Sequence, residues 1–138
     1  MPVSLSKFEI DVMKMLLEGD DNVLSLLRKQ FLSLTVQSRK LTGVGFYLDF
    51  APQMTSYIPD EIPSVRPHFC IGGVEATIAG LQHGASFLVW VNDGYITQLE
   101  GYAYVESWPA EITNYALSYI DGKRDLEKLR KNWLIQNP

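Results

Sequence analysis

The chain has 138 residues, 46% hydrophobic and 20% charged. That balance excludes disorder and suits one domain over 1–138 that buries roughly two thirds of its extended surface. The net charge of -4 and the lack of a concentrated basic face argue against nucleic acid as a partner. The single cysteine excludes an intrachain disulfide, and no leader or apolar run near ~20 residues appears, so a cytoplasmic protein without membrane association is expected.

The first helix is announced by Ser6 and Glu9, which have capping-box spacing, with Leu5 and Ile10 placed as a hydrophobic staple. Phe8, Val12 and Leu16 follow as an apolar stripe beside Met13 and Leu17, and Gly19 is expected to stop the helix. Asp20 or Asp21 caps a second helix whose stripe is Val23, Leu24, Leu27 and Phe31, with Arg28 and Lys29 near its C-terminus. So short a connection predicts a helical hairpin.

After Ser33 the period becomes two. Val44, Phe46, Leu48 and Phe50 alternate with Gly45, Tyr47 and Asp49, and Val36 is a candidate start of the same ribbon. Pro52, Pro59, Pro63 and Pro67 then mark a long connection. Strand signals resume near Phe69 and continue after Gly72-Gly73 with Val74, Ala76 and Ile78. A turn from Gly80 to Gly84 carries His83, and a hairpin turns at Asn92-Asp93-Gly94, either as a bulged type I turn or as a two-residue Asp-Gly turn. Residues 112–120 fit either period, and a strand is preferred. Leu126, Leu129 and Trp133 then line a short C-terminal helix, with Glu127 and Lys131 at ion-pair spacing.

Little in the chain carries chemistry. His68 and Cys70 share a strand face, but a cysteine between Phe69 and Ile71 reads as a small buried hydrophobe. No compact metal-ligand spacing occurs, and Gly43-Val44-Gly45 opens into a strand rather than a phosphate-binding helix, so no metal or cofactor is expected. The remaining candidates are binding residues: Tyr47, Asp49, His83, Glu100, Tyr102 and Tyr104. Glu100 lies within a greasy ribbon. Alternation makes it an outward-facing residue, and Gly101 introduces the prospect of a bulge that redirects it.

Two stretches, SRKLTGVGFYLDF and GLQHGASFLVWVNDGYITQLEGYAYVESWP, carry a GxGFY strand, an HGxxF turn, a DG hairpin and LEGYxYxxxWP. The positions are Gly43, Gly45, Phe46, Tyr47, His83, Gly84, Phe87, Asp93, Gly94, Leu99, Glu100, Gly101, Tyr102, Tyr104, Trp108 and Pro109. The pattern resembles a family of small uncharacterised bacterial proteins over most of the chain. The resemblance implies a stand-alone bacterial domain and brings no catalytic residues.

The expected architecture is α+β: an N-terminal helical hairpin on a twisted antiparallel sheet of four or five strands, with a short C-terminal helix closing an edge or meeting a partner. Val44, Phe46, Leu48, Val74 and Ile78 are assigned to the face under the helices, and Tyr47, Asp49 and Glu75 to the open one. The functional expectation is a non-enzymatic protein-binding module of the immunity or adaptor type. The alternative is a small enzyme or small-molecule-binding protein with a pocket near Glu100 and His83. Self-association, with Trp133 contributing, is a third possibility.

Overall fold

The computed structural model describes residues 4–52 and 65–134. Most of the proline-rich connection expected between Pro52 and Pro67 therefore lies outside the described residues.

Helix α1 (Lys7–Leu16) starts at the expected capping box: Glu9 N donates to Ser6 Oγ at 3.1 Å, and Ser6 N donates to Glu9 Oε1 at 2.8 Å. Its C-cap is Leu17, two residues before Gly19. Arginines satisfy the carbonyls there. Arg28 Nη1 donates to Leu17 O (2.6 Å) and Gly19 O (3.0 Å), and Arg124 Nη2 donates to Leu16 O. A Cβ on Gly19 would come within 2.7 Å of both Leu24 and Leu126, so glycine is needed there for close packing. Helix α2 (Asn22–Phe31) is capped by Asp21, whose Oδ1 accepts from Val23 N at 2.8 Å and Leu24 N at 3.1 Å.

The strands are β1 (Val36–Leu41), β2 (Gly45–Phe50), β3 (His68–Ile78), β4 (Ala85–Asn92), β5 (Tyr95–Ala103) and β6 (Tyr115–Tyr119). They form one antiparallel sheet of six strands in the order β1-β2-β5-β4-β3-β6. The expected four or five strands are thus too few. The strand left in doubt is β1, an edge ribbon in which Val36 alone is buried, so it lacks the alternation of a half-covered strand. Residues 112–120 do contain a strand, β6, followed by a single 3-10 turn at Ile120–Gly122. Val44 does not join the covered face: it precedes β2 in the bend after β1 and is 48% exposed.

Pleating sends Phe46, Leu48, Phe50, Phe87, Val89 and Leu99 to the side occupied by the helices, with α1 against β3 and β4 and α2 against β5. Two bulges keep the pattern in phase. At Gly72-Gly73 the pairing moves from Ile71↔Val89 to Val74↔Phe87, so both Ile71 and Val74 face inward. The hairpin closes as Asn92↔Tyr95 over a two-residue turn, Asp93 (φ 50) and Gly94 (φ 83), rather than over a three-residue loop. Its extra residue lies further in, at Thr97, and leaves both Ile96 and Leu99 buried.

The C-terminal segment continues where β6 stops. Helix α3 (Leu126–Arg130) is capped by Asp125, and Glu127 and Lys131 form no salt bridge among the described residues. Trp133 lies beyond the helix, fully buried, with its ring 6.0 Å from Phe69. That burial removes Trp133 from any self-association surface. Val65 bridges to Leu134 and Arg66 N donates to Trp133 O (2.8 Å), which secures the segment beside β3.

Candidate functional site

The sheet side away from α1 and α2 carries the polar half of the alternation. Across one row run Lys40, Tyr47, Glu100 and Leu88; across the next run Ser38, Asp49, Gln98, Trp90 and Cys70. A third row holds Tyr102, Ser86, Glu75 and Ser118. Neighbouring strands lie about 4.8 Å apart, so these side chains form a continuous grid rather than scattered points.

Hydrogen bonds fix two of the carboxylates in that grid, those of Glu100 and Asp49. Trp90 Nε1 donates to Glu100 Oε1 at 3.1 Å. Asp49 accepts from Gln98 Nε2 at 2.8 Å and from Ser38 Oγ at 3.1 Å. Glu100 therefore faces outward by pleat geometry, between Tyr47 and Leu88. No bulge interrupts β5 at Gly101, which pairs in register with Phe46 and Phe87. Glycine is required there because a Cβ would collide with the Phe46 ring and come within 3.0 Å of Phe87. Gly45, opposite Tyr102, lies against the backbone of Gly101 for the same reason of space.

Tyr102 and Tyr104 meet edge-to-face at 5.8 Å, and the Tyr104 hydroxyl is hydrogen-bonded to the buried Ser86. Burial, reinforced by Tyr104, raises the Tyr102 phenol above its ordinary value. Of the six residues singled out from sequence, Tyr47, Asp49, Glu100 and Tyr102 share this face, and Tyr104 extends it just past β5. His83 does not join them. It is exposed in the β3–β4 turn, before β4 begins at Ala85 and outside the rows that carry Glu100.

The anchor of that turn escaped the sequence reading. Glu106 takes Gln82 N and His83 N on its two carboxylate oxygens, each at 2.8 Å, and those N–H groups hold its carboxyl below the ordinary glutamate value. Trp90, Leu88 and Gln98 were also missed as members of the face. Their alternation with Val89, Val91 and Leu99 was the available signal.

The His68–Cys70 pair acquires an orienting partner, since Asn92 Oδ1 accepts from His68 Nδ1 at 2.6 Å while Asn92 Nδ2 donates to Thr97. The thiol, however, is pushed up, first by burial and then by Glu100, which is the opposite of the activation a nucleophile needs. Among the described residues no group of three or more His, Cys, Asp or Glu is placed to hold a metal ion, and no helix is long and apolar enough to cross a membrane. The face combines half-buried aromatic area from Trp90, Tyr47 and Tyr102 with the hydrogen-bonded carboxylates of Glu100 and Asp49. No family model, curated protein or solved structure matches the chain.

Proposed function

We propose that the protein is a non-enzymatic protein-binding module, of the immunity or adaptor type, that docks a basic protein surface on the open sheet face. The observation carrying this reading is the grid itself, in which Glu100 is held by Trp90 and flanked by Tyr47, with Asp49 held one row away. Aromatic residues supply contact area with little rotamer entropy to lose. Asp49, Glu75 and Glu100 supply complementarity to lysine and arginine and speed encounter. The alternative of a catalytic or small-molecule pocket near Glu100 and His83 gains no support from the position of His83, which lies in the β3–β4 turn and not in the rows around Glu100.

The test is affinity capture from bacterial lysate with the full chain immobilised, across a range of salt. A stoichiometric basic partner is expected, released as salt rises and lost on the double change Glu100→Lys, Tyr102→Ala, with the melting temperature of the variant checked in parallel. Recovery of nothing at any salt, or recovery unaffected by the double change, overturns the proposal.

A further inference from the structure

A second concavity lies on the other side of the sheet, where the N-terminus of α1, the exposed end of β1 and the segment 108–115 meet. It has a volume of about 610 Å³, within the usual range for small-molecule sites. Four aromatic residues stand in its walls. Trp108 packs edge-to-face on Phe46 at 5.4 Å, and Tyr115 packs edge-to-face on Phe8 at 4.8 Å. Leu41, 74% exposed, stands at the rim as an apolar side chain with little else to cover it.

The polar end is built from Glu9 and Arg39, and the two are not equivalent. The Glu9 side chain is buried and its carboxylate is consumed: Oε1 accepts from Ser6 N (2.8 Å) and Arg39 Nη2 (2.6 Å), and Oε2 accepts from Arg39 Nε (2.8 Å). Arg39 Nη2 also donates to Ser4 O at 3.0 Å, whereas Nη1 has no acceptor among the described residues. The Arg39 side chain is 31% exposed and lines the cavity. Lys7, itself paired with Asp11 at 2.9 Å, adds a cation at the mouth. Glu9, the one acid among the lining residues, is already paired with Arg39, so a cationic ligand finds no unpaired carboxylate there. A neutral apolar one would strip water from Arg39 Nη1, which has no acceptor among the described residues, without replacing its hydrogen bond. An anionic head on an apolar body satisfies both ends of the cavity.

We propose that this cavity binds a small amphipathic carboxylate, with Arg39 Nη1 taking the acid group and Leu41, Phe46 and Trp108 holding an aromatic or aliphatic body. The site is separate from the open face and does not rest on the docking reading given above.

The test titrates the full chain with 4-phenylbutyrate and octanoate, using the uncharged 4-phenylbutanamide as the matched control, and follows backbone amides and the Trp108 indole N–H by two-dimensional NMR. Saturable shifts of Trp108 and Leu41 are expected with the acids, with the amide weaker by about tenfold or more. Leu41→Glu should weaken the acids by about tenfold or more by competing for Arg39. It should leave the melting temperature unchanged, because Leu41 is so exposed. Trp108→Ala should abolish the response, and Leu41→Glu guards against loss of fold in that variant. Absence of saturation at millimolar acid, equal binding of the amide, indifference to Leu41→Glu, or shifts confined to the Glu100 face would each overturn the assignment.

Discussion

Glu106 illustrates how much one side chain outside the sheet can organise. Its carboxylate closes the turn before β4 by accepting two backbone N–H groups, and its pKa is lowered for that reason. A lowered folded value means that the stabilising contribution is complete above the ordinary glutamate value and is lost as the pH falls through the lowered one. Wild type and Glu106→Gln should therefore differ by a steady margin in melting temperature near neutral pH, and the gap should close in acid, as the pH falls below the ordinary glutamate value and through the lowered one. A gap that persists in acid would remove the carboxylate from this role. Residues of this kind are poorly legible in sequence because their partners are remote: Glu106 bonds His83 at a separation of 23 residues and Arg39 bonds Glu9 at 30. Glu100 was readable because alternation is a local property. Gly101 was misread, since the glycine answers to the Phe46 and Phe87 rings on other strands and not to a distortion of its own.

At the scale of elements, α2 is joined to the β4–β5 hairpin by a buried amide as well as by its apolar stripe. Gln30 is 1% exposed; its Oε1 accepts from Ile96 N at 2.6 Å and its Nε2 donates to Gly94 O at 3.1 Å. The helix thus completes backbone pairing that the bulge at Thr97 interrupts. Gln30→Ala strands a buried N–H and should cost about 1–3 kcal/mol in urea denaturation, with faster hydrogen exchange at Ile96. Unchanged exchange there would show that water replaces the side chain freely. Both helix starts were legible because a capping box and an N-cap are complete within four residues. Edge strand β1 was only half legible: VQSRKL owes its strand state to pairing with β2, and one buried valine leaves no period to read. Val44 was assigned inward by extending a pattern that begins one residue later, at Gly45. The turn length was ambiguous because Asn92, Asp93 and Gly94 suit either geometry, and the bulge that decides the register lies at Thr97.

On the scale of the whole molecule, the last third of the chain is bonded to the first helices at several points. Tyr115 OH donates to Asp11 at 2.7 Å, Tyr119 OH to Met15 O at 2.9 Å, and Arg130 Nε to Asp21 at 2.7 Å. Arg124 bridges Gly72 O and Leu16 O between them. Trp133, buried against Phe69, belongs to the same closure. Trp133→Ala should cost about 3–5 kcal/mol and lower one cooperative transition, as seen by coincident fluorescence and circular-dichroism melts. Separate transitions would mean that the segment detaches by itself. Remote bonding also sets a timetable for synthesis. Asp20 O waits for Arg130, 110 residues later. At about 5–20 residues per second, the ribosome leaves the amino-terminal helices without that clasp for on the order of 5–20 s. Over that interval the loop between the two helices stays untied at its outer side, even after β3 to β5 have been made and can cover their oily stripes.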